Sequence, residues 1–203
     1  MSRVRLTKNS LREQEKQLQQ LEKYLPTLQL KKNLLQTEVC AAKGEILTKK
    51  ELFIAVKKTL EQFAPLFLEE IDYDFSQLLE VQHVNKYYEN IAGVEIPVFE
   101  SVRFQEELFF LFDTPPWLNS ALDQAKQAVT IKEHIAVLEE KKRSLEKELR
   151  EVSLRVNLFE KVLIPRAKGH IKKIHVFLGD QELAAVAQAK IAKEKIEKKK
   201  KTA

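Results

Sequence analysis

The residues of this sequence with the most suitable chemistry for a metal site are its four histidines. His170 and His175 are five residues apart, whereas two histidines that share a metal on one face of a helix are spaced by four. His83 and His134 are isolated along the chain. We therefore expect His170 and His175 to be ordinary helix residues, and we predict no bound metal.

Carboxylates and the single cysteine offer no stronger site. Cys40 excludes an internal disulfide and a thiolate zinc cluster, and its position between Val39 and Ala42 predicts a small packed residue. Four clustered carboxylates predict a solvated loop, because no further ligands appear at the spacing of a cation-binding loop; they are Glu69, Glu70, Asp72 and Asp74. The sequence also has no Gly-rich phosphate loop and no Gly-x-Ser-x-Gly elbow. We therefore predict no catalytic residues and no cofactor, and a mechanical or adhesive role.

The strongest pattern is an apolar stripe in the C-terminal half of the chain. Two series recur every seven residues, and charges of both signs flank them. They are Ile131, Leu138, Leu145, Val152 and Phe159, and then Ile135, Leu149, Val156 and Leu163, interrupted at Lys142. A repeat of 3.5 residues is typical of a coiled-coil helix, and a lone helix with so narrow a stripe is marginal in water. This helix therefore needs a partner.

A matching stripe near the N-terminus supplies that partner. Its two series are Val4, Leu11, Leu18, Leu25 and Val39, interrupted at Lys32, and Leu21, Leu28, Leu35 and Ala42. Because a long insert separates the two stripes, the simplest arrangement is an antiparallel pair. Pro26 predicts a kink or a fresh helix start at residues 25–27, and Gly44 predicts a softer interruption of the same helix. In the second helix, interruptions are expected at Pro165 and Gly169.

The insert has a period of two residues, which is typical of half-buried strands. Apolar residues alternate with polar ones over residues 94–104, and an upstream run over 83–88 is separated from them by a turn at Asn90-Ile91-Ala92-Gly93. These runs predict a β-hairpin in which Pro97 marks an edge or bulged strand. The apolar run at residues 108–112, with Phe109 and Phe110, fits a small core, which we favour, or an exposed partner-binding patch.

These elements predict a mainly α fold with a long antiparallel two-helix coiled coil from both termini. Residues 1–64 form the N-terminal coiled-coil helix, and residues 65–116 form a small head with the β-hairpin. Residues 117–203 form the C-terminal helix with a basic tail. The formal charge is only +5, so we interpret the lysines of the tail as a solvated helix end rather than a nucleic-acid or membrane site. Residues 1–8 are not followed by the apolar core of a secretory signal, and no stretch is long enough to span a bilayer, so we expect a cytoplasmic protein.

Four segments together resemble the D subunit of the V-type (vacuolar/archaeal-type) rotary ATPase, the central rotor stalk. They are Leu-Thr-Lys-Asn-Ser-Leu at 6–11, Lys-Lys-Asn-Leu-Leu at 31–35, Asn-Ile-Ala-Gly-Val-Glu-Ile-Pro at 90–97 and Arg-Val-Asn-Leu-Phe-Glu-Lys-Val-Leu-Ile-Pro at 155–165. The resemblance covers nearly the whole chain and keeps the order of its elements. The segment that ends in Ile164-Pro165 is the most specific part.

This resemblance implies a non-catalytic shaft that transmits torque between the catalytic A/B hexamer and an ion-translocating membrane ring. The implied partners are the A, B and F subunits and the connector between shaft and ring, with no nucleic acid and no direct membrane insertion. Attachment to the membrane would be peripheral, through the complex. Partner contacts are expected at Lys8, Leu11, Lys31, Lys32, Asn157, Ile164 and Pro165, and at Phe109 and Phe110 in the apolar run.

Two alternatives remain open from the sequence alone. A prefoldin-like chaperone or scaffold protein also consists of two coiled-coil helices joined by a hairpin, although its helical tips are apolar, whereas the ends here are rich in Lys and Ala. A helical arm that binds nucleic acid through the Lys-rich tail is the second alternative, and its binding would depend on salt concentration.

Overall fold

The structure is a computed structural model, and it describes residues 5–68, 79–105, 115 and 117–201. Helix α1 spans Lys8–Glu61 and a 3₁₀ helix spans Ala64–Leu68. Strands β1 and β2 span Val81–Ile91 and Val94–Phe104. Helix α2 spans Leu118–Leu158, a π-helical turn spans Phe159–Leu163, and helix α3 spans Ile164–Lys201. The predicted mainly α class with one β-hairpin is confirmed.

Helix α1 begins with a side-chain cap and continues through its proline. The hydroxyl of Thr7 accepts a hydrogen bond from the Ser10 amide at 3.2 Å, which satisfies one of the free amides of the first turn. Pro26 lies inside the helix, so the fresh start expected at residues 25–27 does not occur. Pro26 is exposed, so the carbonyl that loses its amide partner can be hydrated, while Leu25 and Leu28 keep their places on the half-buried face. Gly44 and Gly169 also lie within continuous helices.

The chain forms two compact units, which we call the terminal unit (Met1–Leu30 with Val152–Ala203) and the middle unit (Lys31–Glu151). In the terminal unit the predicted leucines of α1 are half-buried, and the buried residues of the returning helices are Val152, Val156, Ala167 and Ile174. The two helices run antiparallel, because Lys8 pairs with Glu182 at 3.9 Å and Glu22 pairs with Lys168 at 3.0 Å. The heptad prediction therefore gives the correct buried residues at Val152 and Val156, whereas Ala167 and Ile174 lie outside both series.

The middle unit repeats this arrangement with a better buried core. Its buried residues include Leu35, Val39, Ala42 and Ile46 on α1 and Val137, Leu138 and Leu145 on α2. Lys43 pairs with Glu146 at 3.1 Å and Lys50 with Glu139 at 3.0 Å, which again gives an antiparallel pair. The division of the chain expected at residues 64/65 and 116/117 stays a prediction.

The β-hairpin of the middle unit has the expected turn. Ile91 pairs with Val94, and the two loop residues have positive φ angles of 53° at Ala92 and 79° at Gly93, as a type I′ turn requires. The Asn90 side-chain oxygen accepts a hydrogen bond from the Gly93 amide at 2.9 Å. Pro97 lies opposite Tyr88, and the register shifts fall elsewhere, at Val81/His83 and Asn85/Lys86. Within the described residues the sheet has two strands, so both are edges and tolerate a proline.

Cys40 corrects one interpretation from the sequence, because its side chain is exposed. Its neighbour Val39 is buried, and one residue further along a helix is a rotation of about 100°. Adjacency in sequence to an apolar residue therefore misled the prediction, and Cys40 lies off the buried face.

Leu145 and Leu154 provide a matched test of the buried face, since both are leucines on α2. Leu145 has no exposed surface, whereas 64% of Leu154 is exposed. We expect Leu145→Ala to lower the free energy of unfolding by about 2–5 kcal/mol through lost burial and a cavity. Leu154→Ala should change it by less than about 0.5 kcal/mol. Urea unfolding followed by circular dichroism measures both, and equal losses would contradict the assigned face.

Gly93 and Gly44 provide a second matched pair. Gly93→Ala should destabilise the protein by about 1 kcal/mol, because an L-residue with a side chain is strained at φ 79°. Gly44→Ala should stabilise it by about 0.5–1 kcal/mol, since Gly44 lies in α1 with no atom within 4 Å of an added Cβ. The same unfolding measurement applies, and stabilisation by Gly93→Ala would show that the turn is not type I′.

Candidate functional site

The candidate site of this chain is a set of helix faces. Lys31 lies on one of them, close to both α2 and the hairpin. The Lys31 ammonium donates to Glu148 Oε1 at 2.7 Å, in a pair whose side chains are about two-thirds or more buried. The same nitrogen lies 3.9 Å from the position of a Cβ added to Gly93. Lys31 therefore connects α1, α2 and the hairpin turn. Its role as a partner contact stays a prediction, and its ammonium already has a partner within the chain.

Several side-chain contacts between described residues pack the hairpin on α2. Lys86 pairs with Glu140 at 2.9 Å, and Lys126 lies 5.8 Å from the centre of the Phe104 ring. The Phe99 ring stacks on the imidazole of His134 with centroids 4.4 Å apart and planes 12° from parallel. These contacts are spread along the hairpin, so it lies along the helix rather than touching it only at the turn.

His134 is the histidine whose environment shifts its titration. Burial lowers the pKa of His134 from its ordinary value near 6.5, the Lys49 ammonium lowers it further, and the Glu45 carboxylate opposes both effects. The folded protein therefore favours the neutral imidazole that stacks on Phe99. His134 therefore packs within the middle unit, against the hairpin.

Three predicted contact residues surround the π-turn in the terminal unit. Asn157 is exposed in the last turn of α2, Ile164 is half-buried and begins α3, and Pro165 is exposed directly after it. The Ile164 amide donates to the carbonyl of Phe159, five residues earlier, which is the hydrogen bond of a π-helix. The structure therefore groups these three residues, although nothing about a partner follows from that.

The remaining predicted contact residues lie in other places. Lys8 and Leu11 line a groove of about 360 Å³ with residues of α3, and both belong to the terminal unit. Lys32 is half-buried at its interrupted heptad position in the middle unit. Phe109, Phe110 and the carboxylates at 69–74 lie outside the described residues. The described members of this set belong to two different units, and the contacts of all nine predicted residues with partners stay predictions.

Sequence reasoning missed an exposed apolar surface on the terminal unit. Leu154, Leu158 and Val162 are 64%, 46% and 48% exposed, although all three belong to the long C-terminal helical segment. All three lie outside the two heptad series. Their position off the predicted seam was the signal in the sequence that could have shown their exposure. An exposed apolar surface of this kind is typical of a protein–protein contact.

The last turns of α3 differ from the rest of the terminal unit. Every residue from Gln181 to Lys198 is exposed, including Leu183, Val186, Ile191 and Ile196. Lysines and glutamates alternate among them, and Lys193 lies 4.0 Å from Glu197 one turn away. This segment is a mixed apolar and basic helical surface.

Two further findings concern the part of the chain that the structure describes. Among those residues, no three or more histidine, cysteine or carboxylate side chains come together as metal ligands would. No helix in the same ranges is apolar over a length that would cross a bilayer.

These features define an antiparallel helical-pair protein with an inserted β-hairpin. The chain matches the family model of the ATP synthase D subunit over residues 10–194. It is 41% identical over 200 residues to the V-type ATP synthase D subunit of Chlamydia caviae, covering 98% of this chain and 96% of that one. It is 39% identical over 199 residues to the protein of the same name from Borreliella burgdorferi, covering 98% of each. The chain belongs to the ATP synthase D subunit family.

His134 predicts a pH dependence of hairpin packing. Because its folded pKa is lowered, the unfolded chain binds a proton first as the pH falls, and the stability present above about pH 6.5 is lost toward the lower folded pKa. We expect amides of residues 81–104 to exchange with solvent faster at pH 5.5 than at pH 7.5, after correction for intrinsic rates. His134→Gln should flatten this response, whereas His83→Gln on β1 should leave it unchanged. A full response in His134→Gln would contradict the assignment.

Proposed function

We propose that this chain is the non-catalytic central shaft of a rotary V-type ATPase or ATP synthase. It would transmit torque between the catalytic A/B hexamer and the ion-translocating membrane ring. Membership of the D subunit family supports this proposal, since the relatives at about 40% identity carry the name of a V-type ATP synthase component. ATP chemistry would then occur on the surrounding subunits.

The antiparallel seam is the observation that carries the mechanical part of the proposal. In each unit two helices bury a heptad face, and ion pairs such as Lys50–Glu139 and Glu22–Lys168 flank it. Each fully buried Leu or Ile contributes about 1.5–3 kcal/mol against separation of the helices. Exposed ion pairs add little energy but disfavour sliding, because a slipped register brings unmatched charges together. A pair of this kind resists unwinding, as torque transmission requires.

The exposed surfaces of the terminal unit match the partners that a shaft needs. The helical segment 181–198 carries lysines beside apolar residues, which suits a polar or acidic sleeve inside the catalytic hexamer. The surface formed by Leu154, Leu158 and Val162 suits a neighbouring stalk component, such as the F subunit or the connector to the membrane ring. The protein would then be cytoplasmic and peripheral to the membrane through its complex.

Deletion of residues 184–203 tests this role. The removed segment has no buried residue among those described, so the truncated chain should keep its remaining helical signal and its thermal midpoint within about 2 °C. Assembled with the A/B hexamer and the membrane ring in vesicles, it should hydrolyse ATP with much weaker ion pumping, because torque reaches the ring poorly. A full-length Leu183→Ser variant serves as the control for local surface change.

Two outcomes would contradict the proposal. Undiminished pumping by the truncated chain would show that the segment carries no torque. Failure of the full-length chain to co-purify with a nucleotide-hydrolysing hexamer would remove the chain from such a complex altogether.

A further inference from the structure

The buried seam of the terminal unit changes phase by one residue between α2 and α3. Val152 and Ala167 are both buried, and they are fifteen residues apart, one more than two heptads. Steps of seven from Val152 lead instead to Arg166 and Lys173, and both of these are exposed. Ile174, seven residues after Ala167, is buried. Between Val152 and Ala167, the α2–α3 side of the seam therefore contains one residue more than two heptads require.

Helix α1, on the opposite side of the seam, shows no such shift. Its buried and half-buried positions recur every seven residues from residue 11 to residue 46, with polar Lys32 at one of them. The extra residue therefore belongs to the α2–α3 side, between Val152 and Ala167.

The π-turn at Phe159–Leu163 is where this residue is accommodated. In an α-helix each amide bonds to the carbonyl four residues earlier, whereas the Ile164 amide bonds to Phe159, five residues earlier. One π-helical turn thus holds one residue more than an α-helical turn. The π-turn lies between buried Val156 and buried Ala167, and the seam changes phase within this interval.

Pro165 explains why the extra residue is found there. Proline donates no amide hydrogen bond, and in a regular helix its ring meets the carbonyl four residues earlier. Here Pro165 is the second residue of α3, directly after the wide turn, and helices accept proline in their first turn. If the π-turn moved toward the C-terminus, Pro165 would fall inside regular helix, where it is strongly disfavoured.

We propose that the π-turn is a phase-correcting element and that Pro165 holds it in place. The α2–α3 side has one residue more than a continuous heptad repeat requires, and the π-turn accommodates this residue. The π-turn therefore sets which face of α3 enters the seam. A slip of one residue would rotate α3 by about 100° and replace Ala167 and Ile174 with Arg166 and Lys173. This inference is independent of the proposed role in torque transmission.

Deletions in the full-length chain test the phase correction. In a Pro165→Ala background, removal of exposed Glu160 from the π-turn should give a regular helix with continuous heptads, and raise the thermal midpoint by about 2–4 °C. Removal of exposed Lys172 from α3 in the same background is the matched control. It moves Ile174 out of the seam and should lower the midpoint by about 5 °C or more. If the Glu160 deletion lowers the midpoint as much as the Lys172 deletion does, the proposal is wrong.

Hydrogen exchange tests the role of Pro165. In Pro165→Ala, the amides of residues 166–170 should exchange about tenfold faster than in the unsubstituted chain, because the wide turn is free to move into them. The additional deletion of Glu160 should restore slow exchange, since no extra residue is left. Unchanged exchange in Pro165→Ala would show that the proline does not hold the turn.

Discussion

The narrow heptad seam between antiparallel helices is the interaction on which the rest of this structure depends. A helix pair of this kind buries few side chains per turn, so each unit depends on a short set of residues such as Leu35, Leu145 and Ile174. Charged residues cover the flanks, where Lys43–Glu146 and Lys50–Glu139 match in an antiparallel register. The register is therefore specified twice, once by apolar spacing and once by charge.

The hairpin modifies the seam in the middle unit without replacing it. Its contacts with α2 include one ion pair, one ring stack and one ammonium–ring contact, and Ile96 on β2 is fully buried. Val137 lies outside the heptad series yet is only 2% exposed, and the hairpin contacts His134 and Glu140 on either side of it. The hairpin thus lies against α2 next to this buried residue, and the Lys31 ammonium, which pairs with Glu148 of α2, lies near the hairpin turn.

Much of this fold could be predicted because its period is visible in the chain. The seven-residue repeat predicts many of the buried residues of the seam. The Asn90–Gly93 segment predicts a hairpin turn, because it contains residues that tolerate positive φ. The misses come from effects that no local pattern contains. Cys40 is exposed because it lies one residue, a rotation of about 100°, away from buried Val39. Val137 is buried although it lies outside the heptad series, and α1 continues through Pro26 without a fresh start. Of the expected contact residues, Lys31 forms an internal ion pair, and Phe109 and Phe110 lie outside the described residues.

The exposed helical segment at 181–198 has a consequence for how the chain behaves before assembly. Short helices that bury nothing are marginal in water, even when alanines favour them and a Lys193–Glu197 pair adds about 0.2–0.5 kcal/mol. Any sleeve that encloses the segment must therefore offset the entropy of ordering it. Before that happens, its lysines are open to trypsin-like proteases, so cleavage would shorten unassembled copies first.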